Sequence, residues 1–201
     1  EGTDKSDFLE YYAQRLAAVE VNYTYYRLPV AKTLGIMESN TPPDFVFTLK
    51  ATQTITHEQT QEPEEYEAYV ENLRPIADAG KLGCVLLQFP NSFHLKRDNV
   101  NHLAFIRDQW PDLPLAVEFR HKSWVEDERT WDFLQERNLA YCCVDQPQFS
   151  SLVPPLARAT ADISYVRFHG RNYDKWWQHE EMYERYDYLY SRDELREWVP
   201  K

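Results

Sequence analysis

The stretch Leu115-Ala116-Val117-Glu118-Phe119-Arg120-His121 decides the reading of the fold. Leu115, Val117 and Phe119 fall on one side, and Ala116, Glu118 and Arg120 on the other. Side chains that alternate in this way line the two faces of a β-strand. Five further runs share the pattern: Ala18 to Asn22, Phe45 to Ala51, Cys84 to Phe89, Tyr141 to Asp145 and Tyr165 to Gly170. All are rich in β-branched or aromatic residues and end against polar or turn residues. One parity is apolar throughout: Val19 and Val21, Phe45, Phe47 and Leu49, Val85, Leu87 and Phe89, Cys142 and Val144, Val166 and Phe168. That face is expected to lie under helices. The other parity starts small or apolar and turns polar at its C-terminal end, at Glu20 and Asn22, Lys50, Gln88, Glu118 and Arg120, Asp145, and Arg167 and His169.

The segments between strands carry helical signals. Asp7 to Leu16 and Asn99 to Trp110 are amphipathic, as is Glu128 to Asn138. Pro63 to Ala79 opens with Pro-Glu-Glu, where proline suits the first turn and acids suit the helix dipole. Ser191-Arg192-Asp193-Glu194 is a capping box that opens a last helix. Strand and helix alternate as in parallel α/β proteins. The link from Asp145 to Tyr165, with Pro147, Pro154 and Pro155, predicts an irregular crossover. A doubly wound sheet is covered on both faces, so both parities should stay apolar. A barrel instead carries its site at the C-terminal mouth of its strands. The expected fold is therefore a single TIM-type (β/α) barrel domain over residues 1–201.

Composition narrows the function classes. The 201 residues are 43% hydrophobic and 27% charged, enough apolar material for a core. No run of about 18 apolar residues is present, and the N-terminus lacks a signal-peptide core, so no membrane partner is expected. Cys84, Cys142 and Cys143 sit in apolar runs with no C-x-x-C pair, which fits a reducing, cytoplasmic setting. The net charge of -11 opposes attraction to nucleic acid. No phosphate-binding glycine loop, dinucleotide fingerprint or Gly-x-Ser-x-Gly elbow is present. The sequence names no cofactor and no oligomeric state.

The strand-end residues define the candidate site. Glu118 and His169 suit an acid/base pair, with Asp145 beside them. Arg120 and Arg167 suit anion clamps, and Lys50, Gln88, Glu20 and Asn22 suit orienting groups. The loop residues His57, His121 and Arg171 make the mouth neutral to positive inside an acidic protein. Trp124 and Tyr26 suit stacking on a ring, or packing beneath the loops. Adjacent Trp176 and Trp177 in a polar loop suit a lid or a contact surface, and equally a hydrophobic plug. Glu20, Glu118, Asp145 and His169 also suit a divalent metal, although the basic residues compete for the same carboxylates. Alternatively, the charges are structural ion pairs plugging a core. Buried charges are costly, however, so their persistence points to function.

The motifs at these positions resemble the YecE-like family. The residues that carry the likeness are Val19-Glu20-Val21-Asn22 with Tyr25-Tyr26-Arg27-Leu28-Pro29, Thr56-His57, Leu87-Gln88-Phe89-Pro90, Glu118-Phe119-Arg120-His121 with Ser123-Trp124, and Arg167-Phe168-His169-Gly170-Arg171. They follow the family's order over most of the chain. The resemblance implies a TIM-barrel-type fold with its site at these strand ends, and it supplies no established activity. Family members usually open with a Gly-Thr-Ser-Gly-Trp strand and close with a strand after the last helix. Neither is present here, so the barrel is expected to lack its first and last strands. The strands at Glu20 and Arg167 would then be its free edges, covered by further segments or another chain. Three functions are expected from these residues: an enzyme acting by acid/base chemistry, with or without a metal, on a small anionic or sugar-like molecule; a non-catalytic ligand-binding or scaffold protein; and a hydrolase of nucleic acid.

Overall fold

The structure, a computed structural model, describes Asp4 and residues 7–201 apart from the side chain of Met182. The chain is an α/β protein that divides into two compact units. One holds residues up to 88 with 100–115, and the other holds residues 89–99 with 116–201.

In the first unit, α1 (Phe8–Ala13) leads into β1 (Ala18–Val21), α2 (Ala31–Ser39), β2 (Val46–Lys50), α3 (Gln53–Thr56), α4 (Pro63–Ala77) and β3 (Leu82–Gln88). The three strands are parallel and neighbour one another in chain order, with Glu20 opposite Thr48 and Lys50 opposite Leu86. The apolar parity of β2 and β3 is buried as expected, at Phe47, Leu49, Val85 and Leu87. Against it α4 sets Tyr66, Tyr69, Leu73 and Ile76, with Pro63, Glu64 and Glu65 in its first turn. Trp110, just past α5 (Arg97–Gln109), packs on Tyr66 and Tyr69 and donates its indole N–H to the Tyr66 carbonyl at 3.1 Å.

The second unit is built on β4 (Leu115–Glu118), β5 (Leu139–Asp145) and β6 (Tyr165–Phe168), again neighbours in chain order. The Phe89 N–H donates to the Glu118 carbonyl at 3.0 Å, so the chain leaving β3 runs beside the end of β4. α6 (Arg129–Glu136) bridges β4 to β5, and β5 is buried along its whole length. β5 and β6 run parallel, with Val144 opposite Arg167 and Asp145 opposite Phe168. The Pro-rich link between them forms neither helix nor strand, as expected. The Thr160 hydroxyl docks it on the start of β5, accepting from the Tyr141 N–H at 2.7 Å and donating to the Leu139 carbonyl at 2.6 Å. The last helix, α7 (Arg192–Arg196), begins with the expected capping box of Ser191 and Glu194.

All six expected strands form, with ends moved by a few residues, and the helices expected around α1, α4, α5, α6 and α7 form too. One expectation fails. Val166 and Phe168 do not lie under a helix, since each is 44% exposed. Among the described residues a single 3₁₀ turn, Met182–Arg185, and the five-residue α7 follow β6, and Phe168 is met edge-on by Tyr190 and Trp198 instead. The three cysteines are buried and unpaired by disulfides, and burial raises the Cys84 thiol to about 11.

Candidate functional site

Glu118 ends β4 on the inward parity and has no exposed surface. Three basic side chains converge on it. Arg120 Nε meets Oε1 at 2.8 Å, Arg167 Nη1 meets Oε2 at 2.5 Å, and His169 Nε2 meets Oε1 at 3.1 Å. Burial pushes the carboxyl up. The guanidiniums of Arg120 and Arg167, with the His169 ring, outweigh it and hold Glu118 well below the usual carboxylate range. Burial and the neighbouring Arg120 lower His169 to about 4 against the pull of Glu118. At neutral pH the ring is therefore uncharged. It donates Nε2–H to the carboxylate, which leaves the lone pair on Nδ1.

The irregular link sets the position of Arg120. The Val153 N–H donates to the Arg120 carbonyl at 3.1 Å, and His121 bridges to Leu152. Gln146 accepts Arg120 Nη1 at 3.0 Å and donates to the Val153 carbonyl at 3.2 Å. The guanidinium is therefore fixed from both ends.

The segment after β6 supplies a roof, of which the sequence showed only the adjacent tryptophans. Trp176 is fully buried, and the Arg185 guanidinium lies 4.1 Å from its ring centroid. Arg120 approaches the same indole at 5.9 Å, and Tyr186 packs 6.0 Å from His169. Burial lowers the pKa of Arg185; Arg120 lowers it further, while Glu118 raises it. Arg185 Nε and Trp176 Nε1 are both buried, and neither has a hydrogen-bond partner among the described residues.

Asp145, at the end of β5, belongs to a second network. Its oxygens accept Arg171 Nε at 2.8 Å and Nη2 at 2.7 Å, Tyr190 Oη at 2.7 Å and Trp198 Nε1 at 2.7 Å. Burial raises its pKa, but the bonds from Arg171, Trp198 and Tyr190 outweigh that and leave it lowered. Arg171 also reaches Glu197 at 2.8 Å, so its charge is spent on carboxylates. This network ties the C-terminal segment to β5.

The remaining candidates are placed as follows. Trp124 is fully buried, stacked 4.2 Å from Phe119, with its indole N–H on the Phe93 carbonyl at 2.7 Å. His121 stacks on His94 at 3.8 Å and shares Nδ1 with the Ser123 hydroxyl at 2.8 Å. Glu20, Asn22, Lys50, His57 and Gln88 all belong to the first unit. There Lys50 lies over Tyr25 at 5.0 Å, and Tyr25 meets His57 edge-on at 5.1 Å. Burial and Lys50 lower the pKa of His57. Among the described residues no three His, Cys, Asp or Glu side chains gather where they could hold a metal.

Parallel strands alternating with helices, with a buried carboxylate gripped by guanidiniums at strand C-termini, define an α/β protein with a polar strand-end centre. A family model described as "Protein of unknown function DUF72" matches residues 1–201, and the chain belongs to that family. It is 33% identical to the UPF0759 protein YunF of Bacillus subtilis (strain 168), over 94% of this chain and 73% of that protein. Among solved structures it resembles a DUF72 family protein from Thermotoga maritima MSB8, with TM-score 0.87 and 39% identity over 97% of this chain and 76% of that one. A DUF72 family protein from Enterococcus faecalis V583 superposes with TM-score 0.86 and 30% identity, covering 97% of this chain and 80% of that one.

Proposed function

We propose that the second unit binds a small anionic compound at the cluster of Arg120, Arg167 and Arg185 around Glu118. The observation that carries this reading is the pair of buried donors, Arg185 Nε and Trp176 Nε1, left without partners. Both groups can only donate, so only an acceptor satisfies them. A buried donor left unmet costs about 1–3 kcal/mol, which an anion's oxygens would recover. The cluster also sits at strand C-termini, where (β/α) barrels carry their chemistry.

In this reading Glu118 is an anchor. Ionised at neutral pH, it holds Arg120 and Arg167 in place and has no proton to give. An acid/base step would fall to His169, through Nδ1. The test is a melting-temperature screen of the whole chain with phosphate, sulfate and acetate, repeated on Arg185→Gln. Stabilisation of the parent that is weakened in the variant supports the reading. No stabilisation by any of the three anions would favour the non-catalytic scaffold, with the charges purely structural.

A further inference from the structure

We infer that this site selects one tetrahedral dianion, the phosphate group of a phosphate monoester, over monoanions and extended dicarboxylates. The inference rests on the anion reading above and adds the ligand's charge and shape. Two guanidiniums, Arg120 and Arg167, hold one carboxylate, Glu118, and a third, Arg185, lies within its electrostatic reach, so two positive charges are left over. The other polar groups facing the cluster do not change that count at neutral pH. His169 is neutral with its pKa near 4, and burial raises the Tyr141 hydroxyl above its ordinary value. Asp145 is saturated by Arg171, Tyr190 and Trp198. In a poorly solvated site an unbalanced charge is costly, so the best ligand cancels both charges.

Geometry points to one compact group. Arg120 and Arg167 grip opposite oxygens of the same carboxylate, which keeps their guanidiniums close together. Arg185 and Trp176 add their unmet donors from the roof, where Arg120 also touches the Trp176 ring. Donors arriving from the strand ends and from the roof suit a group with oxygens in several directions. A phosphate has them, whereas the two ends of a dicarboxylate lie too far apart.

The experiment is an NMR titration of the whole chain at pH 7.5, in a buffer free of phosphate and sulfate. Methyl phosphate, methyl sulfate and succinate are the ligands, and the tryptophan indole N–H signals are followed. Methyl phosphate and methyl sulfate share a shape and differ by one charge. Methyl phosphate should bind at least about tenfold more tightly than either of the others, given one more unit of charge at close range. In Arg185→Gln, with an unchanged circular dichroism spectrum, the preference over methyl sulfate should shrink to about threefold or less. Equal binding of methyl phosphate and methyl sulfate would overturn the dianion and leave the anion reading standing. Tighter binding of succinate would overturn the tetrahedral group. An undiminished preference in the variant would remove Arg185 from the charge count, and no binding of any ligand would remove the anion reading too.

Discussion

Replacing Arg167 by alanine isolates the interaction that matters most in the second unit. The substitution deletes one of three basic partners of a carboxylate that has no exposed surface. Breaking a buried ion pair from one side typically costs about 3–5 kcal/mol, because the surviving charge stays buried and uncompensated. Glu118 would still hold Arg120 at 2.8 Å and His169 at 3.1 Å, and Arg167 itself is 16% exposed. Both facts pull the expected loss down, to about 2–3 kcal/mol. Urea unfolding followed by tryptophan fluorescence is suitable, because five of the six tryptophans lie in the second unit. With a slope of about 2 kcal/mol per molar, the midpoint should fall by roughly 1 M or slightly more. Glu118→Gln in the same background should be less damaging than in the parent, with a coupling of about 1–2 kcal/mol. A loss below about 0.5 kcal/mol, with additive single changes, is the behaviour of an ordinary surface site and would contradict the ion-pair account.

Other expectations follow from neighbouring features. The lowered pKa of Asp145 contributes stability that is present above its unfolded value of about 3.9 and lost as pH falls toward the folded value. Asp145→Asn should therefore destabilise the protein at pH 7 and flatten the acid limb below about pH 4 in denaturation curves; an unchanged limb would contradict this. For His169 the unfolded ring takes a proton near pH 6.5 while the folded ring waits until about 4, so it favours unfolding as pH drops through that window. Nitrogen NMR should show a neutral ring protonated on Nε2 down to about pH 5, and titration near 6.5 would be incompatible with the buried pairing. Trp124→Ala should cost about 3–5 kcal/mol in chemical denaturation and leave anion binding intact in the folded fraction, since its ring packs on Phe119 and Phe93. Gly170 has φ +81°, and a Cβ there would sit 2.7 Å from Tyr188 Cβ, so Gly170→Ala should lower the melting temperature.

The strands were readable because β2 to β5 each bury a face whose side chains recur at every second residue. The same rule misled at β6, where Val166 and Phe168 alternate correctly but stay half exposed, with the rings of Tyr190 and Trp198 meeting Phe168. α2 escaped notice because Gly35 interrupts its apolar spacing, and α3 is a single turn, too short to show a period. The contacts among Glu118, Arg120, Arg167 and His169 join the C-terminal ends of β4 and β6 across the intervening β5. Arg185 and its place over Trp176 lie in an irregular segment, where sequence separation says nothing of distance. The paired tryptophans at 176 and 177 were the only trace of the roof. Asp145 pairs in register with Phe168 rather than with Arg167, so it faces away from the Glu118 cluster. Its partners Tyr190 and Trp198, which also meet Phe168, come from the last stretch of chain, whose return to β5 no local pattern announces.

The buried thiols give each unit its own unfolding reporter. Cys84 lies in the first unit, and Cys142 and Cys143 lie in the second. Alkylating reagents attack thiolates; burial shields all three thiols and raises the pKa of Cys84 and Cys143, so little reacts near neutrality. Modification then waits for the surrounding structure to open. A pulse of reagent read by intact mass would add one adduct when the first unit opens and two when the second does. The wild-type chain therefore records, without any introduced label, whether its halves come apart together or in turn.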